Sequence, residues 1–197
     1  MRRFVSFILL IISFGAYAQR GSVMHYLMFD GAICYSDGGG YAQFLARVGP
    51  ELGIGYRADI SISEKWSVIP GAGIHSELLF IPSPCITAQT DLFCAAGYHY
   101  DVEGINTVFS FGPNLSYHLI PGRYYIDADP WDVRNGNPIF RRANLSFRTE
   151  VFYEGRGRWF YGFGLNIGVH NQRAQYEEFD GGNSRVHYFR VIFGYRL

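Results

Sequence analysis

Ten charged side chains fall into parity-matched sets. Arg47, Glu51, Arg57, Asp59 and Glu77 stand at odd positions, and Arg142, Arg148, Glu150, Arg190 and Arg196 at even ones. Alternate residues of a strand share a face, so each set would look the same way. Turned into the lumen of a narrow barrel, these residues could form a polar channel or a path for protons or ions. They could equally pack the lumen with ion pairs and close it. Buried carboxylates and guanidinium groups are tolerable only when paired, and an eight-stranded barrel is just wide enough for side chains to fill. The closed, ion-paired lumen is therefore the expectation.

Other reactive groups are few. Cys34, Cys85 and Cys94 are the three cysteines. Cys85 and Cys94 fall in one expected connection, Pro82 to Gly104, and a bridge between them is expected, with Cys34 left over. The alternative is three thiols. A closure that short would contribute about 2–3 kcal/mol. No cysteine–histidine spacing suits a metal, and no glycine-spaced calcium loop is present, so no metal or cofactor is assigned. A hydrolase needs nucleophile and base within hydrogen-bond reach. His75 and Ser76 are adjacent in an expected strand and face opposite ways. His118 and Ser116 share a face near the end expected to be periplasmic, where lumen packing is the simpler reading. His170 and Asn171 have no following serine. No catalytic residue is assigned.

The elements that must position these groups show in the alternation. From Phe44 to Ile62, the even positions include Leu52, Ile54, Tyr56 and Ile60 and carry no charge. The odd ones include Arg47, Glu51, Gly53, Gly55, Arg57 and Asp59. The pattern recurs with Trp66, Val68, Pro70, Ala72 and Ile74 against Ser67, Gly71, Gly73, His75 and Glu77. Phe109, Phe111, Pro113, Leu115 and Tyr117 oppose Ser110, Gly112, Asn114, Ser116 and His118. Trp159, Tyr161, Phe163, Leu165 and Ile167 oppose Gly162, Gly164, Asn166 and Gly168. Strands are expected at 24–35, 41–62, 66–81, 105–120, 124–129, 139–153, 159–170 and 186–197. Asp127, Asp129 and Pro130 interrupt the fifth.

Alternation does not say which face is outside. Several stretches exceed the ~10 residues a tilted strand needs to cross hydrocarbon. Lys65 is the one lysine, so a water-facing exterior is poorly supplied. Aromatic residues near strand ends (Trp66, Tyr117, Tyr124, Tyr125, Tyr153, Trp159) suit interfacial girdles. The expected short links are 63–65, 121–123 and 155–158, and the long ones 82–104, 129–138 and 171–185; the first outer loop, 36–40, is short. Short and long connections alternate as periplasmic turns and outer loops do. A soluble barrel or sandwich with a greasy interior is the competing arrangement. Pro50, Pro70 and Pro113 sit within strand patterns. They predict bulges or broken pairing, or positions at strand ends.

Arg2 and Arg3, the apolar run Phe4–Phe14 and Ala16-Tyr17-Ala18 read as a secretory signal cleaved after Ala18. The run is too short to span a bilayer. Residues 19–197 then form one all-β domain with 15 basic residues (17 less Arg2 and Arg3) against 17 acidic ones. That balance excludes nucleic acid as a partner, whose binding needs a basic surface.

Three segments carry a family resemblance: Val48-Gly49-Pro50-Glu51-Leu52-Gly53-Ile54-Gly55-Tyr56, Ser63-Glu64-Lys65-Trp66-Ser67-Val68 and Phe111-Gly112-Pro113. With them the chain resembles the small outer-membrane β-barrels of the OmpA/OmpX type, and looks closest to the short barrels common in Bacteroidota. The resemblance implies a closed, antiparallel, up-and-down transmembrane barrel of about eight strands in the outer membrane of a Gram-negative bacterium. Phe189, Val191, Phe193, Tyr195 and Leu197 are similar to the signal read by the barrel-assembly machinery. That signal usually ends in an aromatic residue, and Leu197 departs from it. Outer-membrane lipid, lipopolysaccharide and a surface or periplasmic protein are the remaining expected partners. A structural or surface-interaction role is expected, with a lipid-modifying enzyme or the scaffold of a secretion assembly as alternatives, because a fold does not fix a function.

Overall fold

A chain whose alternate side chains need different surroundings must run extended between two media, and the computed structural model has that form. It describes residues 22–37, 50–80, 84–120, 123–124, 137–138, 142–155, 157–169 and 185–197. The expected leader, Arg47 and Tyr125 lie outside them. The strands are β1 (Val23–Asp37), β2 (Pro50–Ser61), β3 (Trp66–Phe80), β4 (Pro84–Val102), β5 (Ile105–Ile120), β6 (Arg123–Tyr124), β7 (Asn137–Pro138), β8 (Ala143–Glu154), β9 (Trp159–Gly168) and β10 (Arg185–Arg196). Eight of them close into an antiparallel barrel, in ring order β1-β2-β3-β4-β5-β8-β9-β10. The two-residue strands β6 and β7 pair only with each other.

Closure is staggered. Paired residues followed once round the ring run from Val23 through Ile60, Val68, Ala96, Phe111, Thr149, Leu165 and Phe189 back to Ile33. The circuit gains ten residues (33 less 23). Such a stagger goes with strands tilted by roughly 35–45°. Two tight turns, 62–65 and 103–104, lie at one end with both described termini, the end of β8 and the start of β9. In the two-residue β4–β5 turn, Glu103 and Gly104 both take positive φ (54° and 83°). That is the hairpin geometry whose twist matches the flanking strands, and Asp101 Oδ1 accepts from the Gly104 amide at 3.0 Å. The opposite end carries the connections 38–49, 81–83, 121–142 and 169–184.

Two sequence expectations are corrected. Residues 82–104, expected as a loop, contain β4, the longest strand. Its inward face reads Thr87, Gln89, Asp91, Phe93, Ala95 and Gly97, and its outward face includes the small residues Ala88, Thr90, Cys94 and Ala96. A phenylalanine inside and small side chains outside blur the greasy-versus-polar alternation. The expected fifth strand, 124–129, is absent from the ring. Only Arg123–Tyr124 is a strand there, and 125–129 lie outside the described residues. The count of eight survives because one error offsets the other. The recount also puts His118 at the long-connection end, opposite to expectation.

The prolines behave as their missing N–H requires. Pro50 begins β2. Pro70 pairs with Cys94, but the β2–β3 ladder skips from Arg57↔Gly71 to Ile60↔Val68 beside it. Pro113 pairs with Phe147, while the β4–β5 ladder skips from Phe93↔Asn114 to Ala96↔Phe111. Each internal proline interrupts one ladder and keeps the other.

Cys85 and Cys94 lie on one strand, nine residues apart. At strand rise their Cα atoms are about 30 Å apart, beyond the ~7 Å a disulfide spans. The expected Cys85–Cys94 bridge is excluded; Cys94 is a free, outward-facing thiol and Cys34 is buried. Alkylating the denatured protein without reduction should label both Cys85 and Cys94 in a peptide mass map. A peptide cross-linked between them would contradict β4.

Candidate functional site: the charged lumen

Burial alternates along the wall strands, broken at Ala58 on β2 and Thr107 on β5, which are buried on the outward parity. On β9, Phe160, Gly162, Gly164, Asn166 and Gly168 are buried while Trp159, Tyr161, Phe163, Leu165 and Ile167 are exposed. Leu52 is 74% exposed, Phe163 50% and Phe147 41%, whereas Arg57 and Arg190 are 0% exposed. The barrel is thus inverted relative to a soluble protein: greasy outside, charged inside. Aromatic pairs ring the short-turn end of the outer wall, with centroids 5.0 Å apart for Trp66–Tyr98, 4.8 Å for Trp159–Tyr195 and 5.6 Å for Tyr153–Tyr161.

The lumen is layered: an apolar cluster stands between charged groups, which the expected ion-paired lumen does not include. Nearest the short turns, His99 Nε2 lies 3.4 Å from Asp59 Oδ2, and Asn106 donates to Glu154 at 2.9 Å. Above them Tyr26, Met28, Ile69, Phe93, Phe152 and Phe160 belong to an apolar cluster. Arg57 passes through it, its Cζ 3.7 Å from the Phe152 centroid and 4.3 Å from that of Phe160. Aromatic faces attract a desolvated cation. The Arg57 head reaches Glu150 at 3.4 Å, and Glu150 is shared with Arg148. Glycines make the room: a Cβ at Gly71 would collide with the Phe93 ring, and one at Gly194 with that of Phe160.

A second charged layer lies towards the long connections. Arg190 Nη1 is 3.2 Å from Asp30 Oδ2, and its Nη2 is 2.8 Å from Glu51 Oε1 and 3.5 Å from Asp91 Oδ2. His75 sits among the same acids. Its Nδ1 is 3.1 Å from Asp30 Oδ1 and 3.3 Å from Glu51 Oε1, and its Nε2 is 3.3 Å from Asp91 Oδ2. Gln89 donates to Glu51 at 2.8 Å, and Thr87 to Glu77 at 3.3 Å. The opposite wall is neutral: Asn114 donates to Ser116 at 3.1 Å and to Ser146 at 3.2 Å, and Asn144 contacts His118 at 3.0 Å.

Of the ten charges singled out in sequence, seven are buried in these layers: Glu51, Arg57, Asp59, Glu77, Arg148, Glu150 and Arg190. Arg142 is not among them; it is exposed just before β8. Arg196 is half-buried at the short-turn rim and also outside the buried layers. Sequence reasoning missed Asp30 and Asp91 and gave His75 no place in the ion pairing. Asp30 shares its face with Tyr26, Met28, Ala32 and Cys34, so nothing there reads as a charged wall. Asp91 lay in the stretch taken for a loop. His75 stands on the charged face, where the sequence alone offers it only a catalytic reading. His75 and Ser76 face opposite sides of the wall, as alternation demands.

No protein-family model matches the chain, and no curated protein does. Solved structures match over most of its length. Neisserial surface protein A (NspA) superposes with a TM-score of 0.52 at 12% identity, over 89% of this chain and 99% of that one. The outer membrane enzyme PagL gives 0.51 at 6%, over 85% and 98%. Ail, the attachment invasion locus protein of Yersinia pestis, gives 0.50 at 9%, over 90% and 99%. The likeness is one of fold. It is the fold of small closed barrels of the OmpA/OmpX-like type, which the strand segments resemble.

Removing one partner of a buried pair leaves an uncompensated charge, at a cost of about 3–5 kcal/mol. Glu150→Ala, which strands both Arg57 and Arg148, should cost that much in urea unfolding of the vesicle-inserted barrel. Glu154→Ala at the rim, which ends the bond from Asn106, should cost less. Equal losses would contradict Glu150 as the shared counter-charge.

Proposed function

We propose that the chain is an integral outer-membrane β-barrel with a packed, non-conducting lumen, serving a structural or surface-interaction role in the cell envelope. The inversion of sidedness carries this reading. An exterior lined by Leu52, Ile74, Leu92, Phe111, Phe163 and Val191 has no stable place in water, and a closed barrel is one of two backbone forms that can sit in lipid. Lipid and the lipid part of lipopolysaccharide would face that wall. The leader 1–18 would deliver the chain through the secretory route. Phe189, Val191 and Phe193, exposed on the outer face of β10, would be read with Tyr195 and Leu197 by the barrel-assembly machinery. The closeness to short Bacteroidota barrels rests on the segments at 48–56, 63–68 and 111–113.

The closed lumen is supported by the apolar cluster across the bore and by ion pairs on both sides of it. Among the described residues Ser67 Oγ and His99 Nε2 lie 2.9 Å apart, but Ser67 is buried inside the lumen at the short-turn end and not on the lipid-facing wall, so the contact does not favour lipid modification. A surface or periplasmic protein is the partner class proposed.

Purified protein refolded into vesicles should insert, and planar-bilayer recordings should show no large, steady conductance. Phe163→Arg, at mid-height on the outer wall, should weaken insertion by about 2–4 kcal/mol. Insertion unaffected by that change would defeat the membrane assignment. Lipid A from cells with and without the protein should have the same acyl pattern by mass spectrometry; an altered pattern would transfer the protein to the enzymes.

A further inference from the structure

We propose that the charged layer towards the long connections is a binding site for one divalent metal ion, held by Asp30 Oδ1, Glu51 Oε1 and His75 Nδ1. The inference rests on side-chain geometry and not on the membrane reading. The three residues come from β1, β2 and β3, all are buried, and their donor atoms lie within 4.8 Å of one another. The imidazole nitrogen is 3.1 Å from one carboxylate oxygen and 3.3 Å from the other. Ligands bound at roughly 2.0–2.2 Å around one ion stand about 3.0–3.5 Å apart.

Proton placement favours an ion. Arg190 Nη1 lies 3.1 Å from His75 Nδ1. A guanidinium only donates, so that nitrogen presents a lone pair to it. The same nitrogen then has no hydrogen to give Asp30 or Glu51. Asp30 Oδ1 accepts no hydrogen bond among the described residues, and Glu51 Oε1 is met by Arg190 Nη2 at 2.8 Å in an ion pair, so the ring nitrogen and the two acid oxygens converge with no proton from His75 between them. Asp91, 1% exposed, approaches the same ring from its Nε2 side, and neither of its oxygens accepts a hydrogen bond among the described residues.

Charge points the same way. Around the Arg190 guanidinium, Asp30, Glu51 and Asp91 bring three negative charges against its one positive, leaving two unbalanced among buried groups, while Glu77 in the same layer is met by Thr87. One divalent ion with a neutral His75 balances those two. The wall also makes space: a Cβ at Gly53 would collide with the His75 ring and the Asp30 carboxylate. Carboxylate and imidazole donors together suit zinc or manganese. With the ion in place, Arg190 would keep Asp30 Oδ2 and Asp91 and give up both the His75 Nδ1 lone pair and Glu51 Oε1, so ion and arginine compete for the same two atoms.

The test uses the full mature chain, refolded in detergent with Zn²⁺, Mn²⁺ or EDTA, desalted, and assayed for metal by mass spectrometry. The expected result is one zinc or manganese per barrel and a higher unfolding temperature than the EDTA-treated protein. His75→Gln and Asp30→Asn should each lower metal affinity at least tenfold. Asp59→Asn, in the acid–imidazole pair at the other end, should not. Arg190→Gln should bind no more weakly than the parent. Circular dichroism confirms that each variant is folded, and the unfolding shift of the unmutated protein stands even if one is not. No retained metal with no unfolding shift overturns the proposal, as does retention unchanged in both His75→Gln and Asp30→Asn.

Discussion

A guanidinium group with no access to water demands carboxylates within reach, and the barrel is organised round three such groups. Arg57 and Arg190 are fully buried and Arg148 nearly so. Arg57 and Arg190 meet acids delivered by other strands, Glu150 from β8 for Arg57, and Asp30, Glu51 and Asp91 from β1, β2 and β4 for Arg190, while Arg148 shares Glu150 from its own strand. These contacts hold only if every contributing strand keeps its face and height. The glycines of the inner wall follow from the same demand, because rings and charged heads need the volume a Cβ would take. The aromatic cluster around Arg57 separates the two charged layers, so the interior has the stacking of a packed core instead of a bore.

The legible part of the fold was the part where chemistry and parity agree. Leu52, Ile54 and Tyr56 against Glu51, Arg57 and Asp59 state the two media directly, and so do Phe163 and Leu165 against Gly162, Gly164 and Asn166. Parity alone placed seven of the ten charges in the lumen. Heights round the ring were not legible, because they depend on the ten-residue stagger, a property of closure and of no single strand. Hence Asp30, His75 and Asp91, distant in sequence, could not be seen to meet Arg190. β4 failed to read as a strand because Phe93 points in and Ala88, Thr90, Cys94 and Ala96 point out, and the mistaken disulfide followed from that.

Solved structures that share this fold include a protein described as an outer membrane enzyme and another described as an attachment invasion locus protein. At identities of 6–12% the likeness is one of wall design. A wall of this kind is indifferent to what is mounted on its rim or set within its lumen. The separating evidence must come from particular side chains, and here those are concentrated in the acid-rich layer around His75.

Because β1 closes on β10 after a fixed ten-residue gain, the ring behaves as a combination lock. A deletion of one residue within a strand would turn part of that strand's charges towards lipid. It would also shift that strand's pairing on both sides, and the misfit would have to be absorbed somewhere before the ends could meet. A length change of two keeps the faces but moves the acids of that strand by a full layer. Evolution of such a wall is therefore confined largely to substitutions in place, and changes in length belong to the connections between strands.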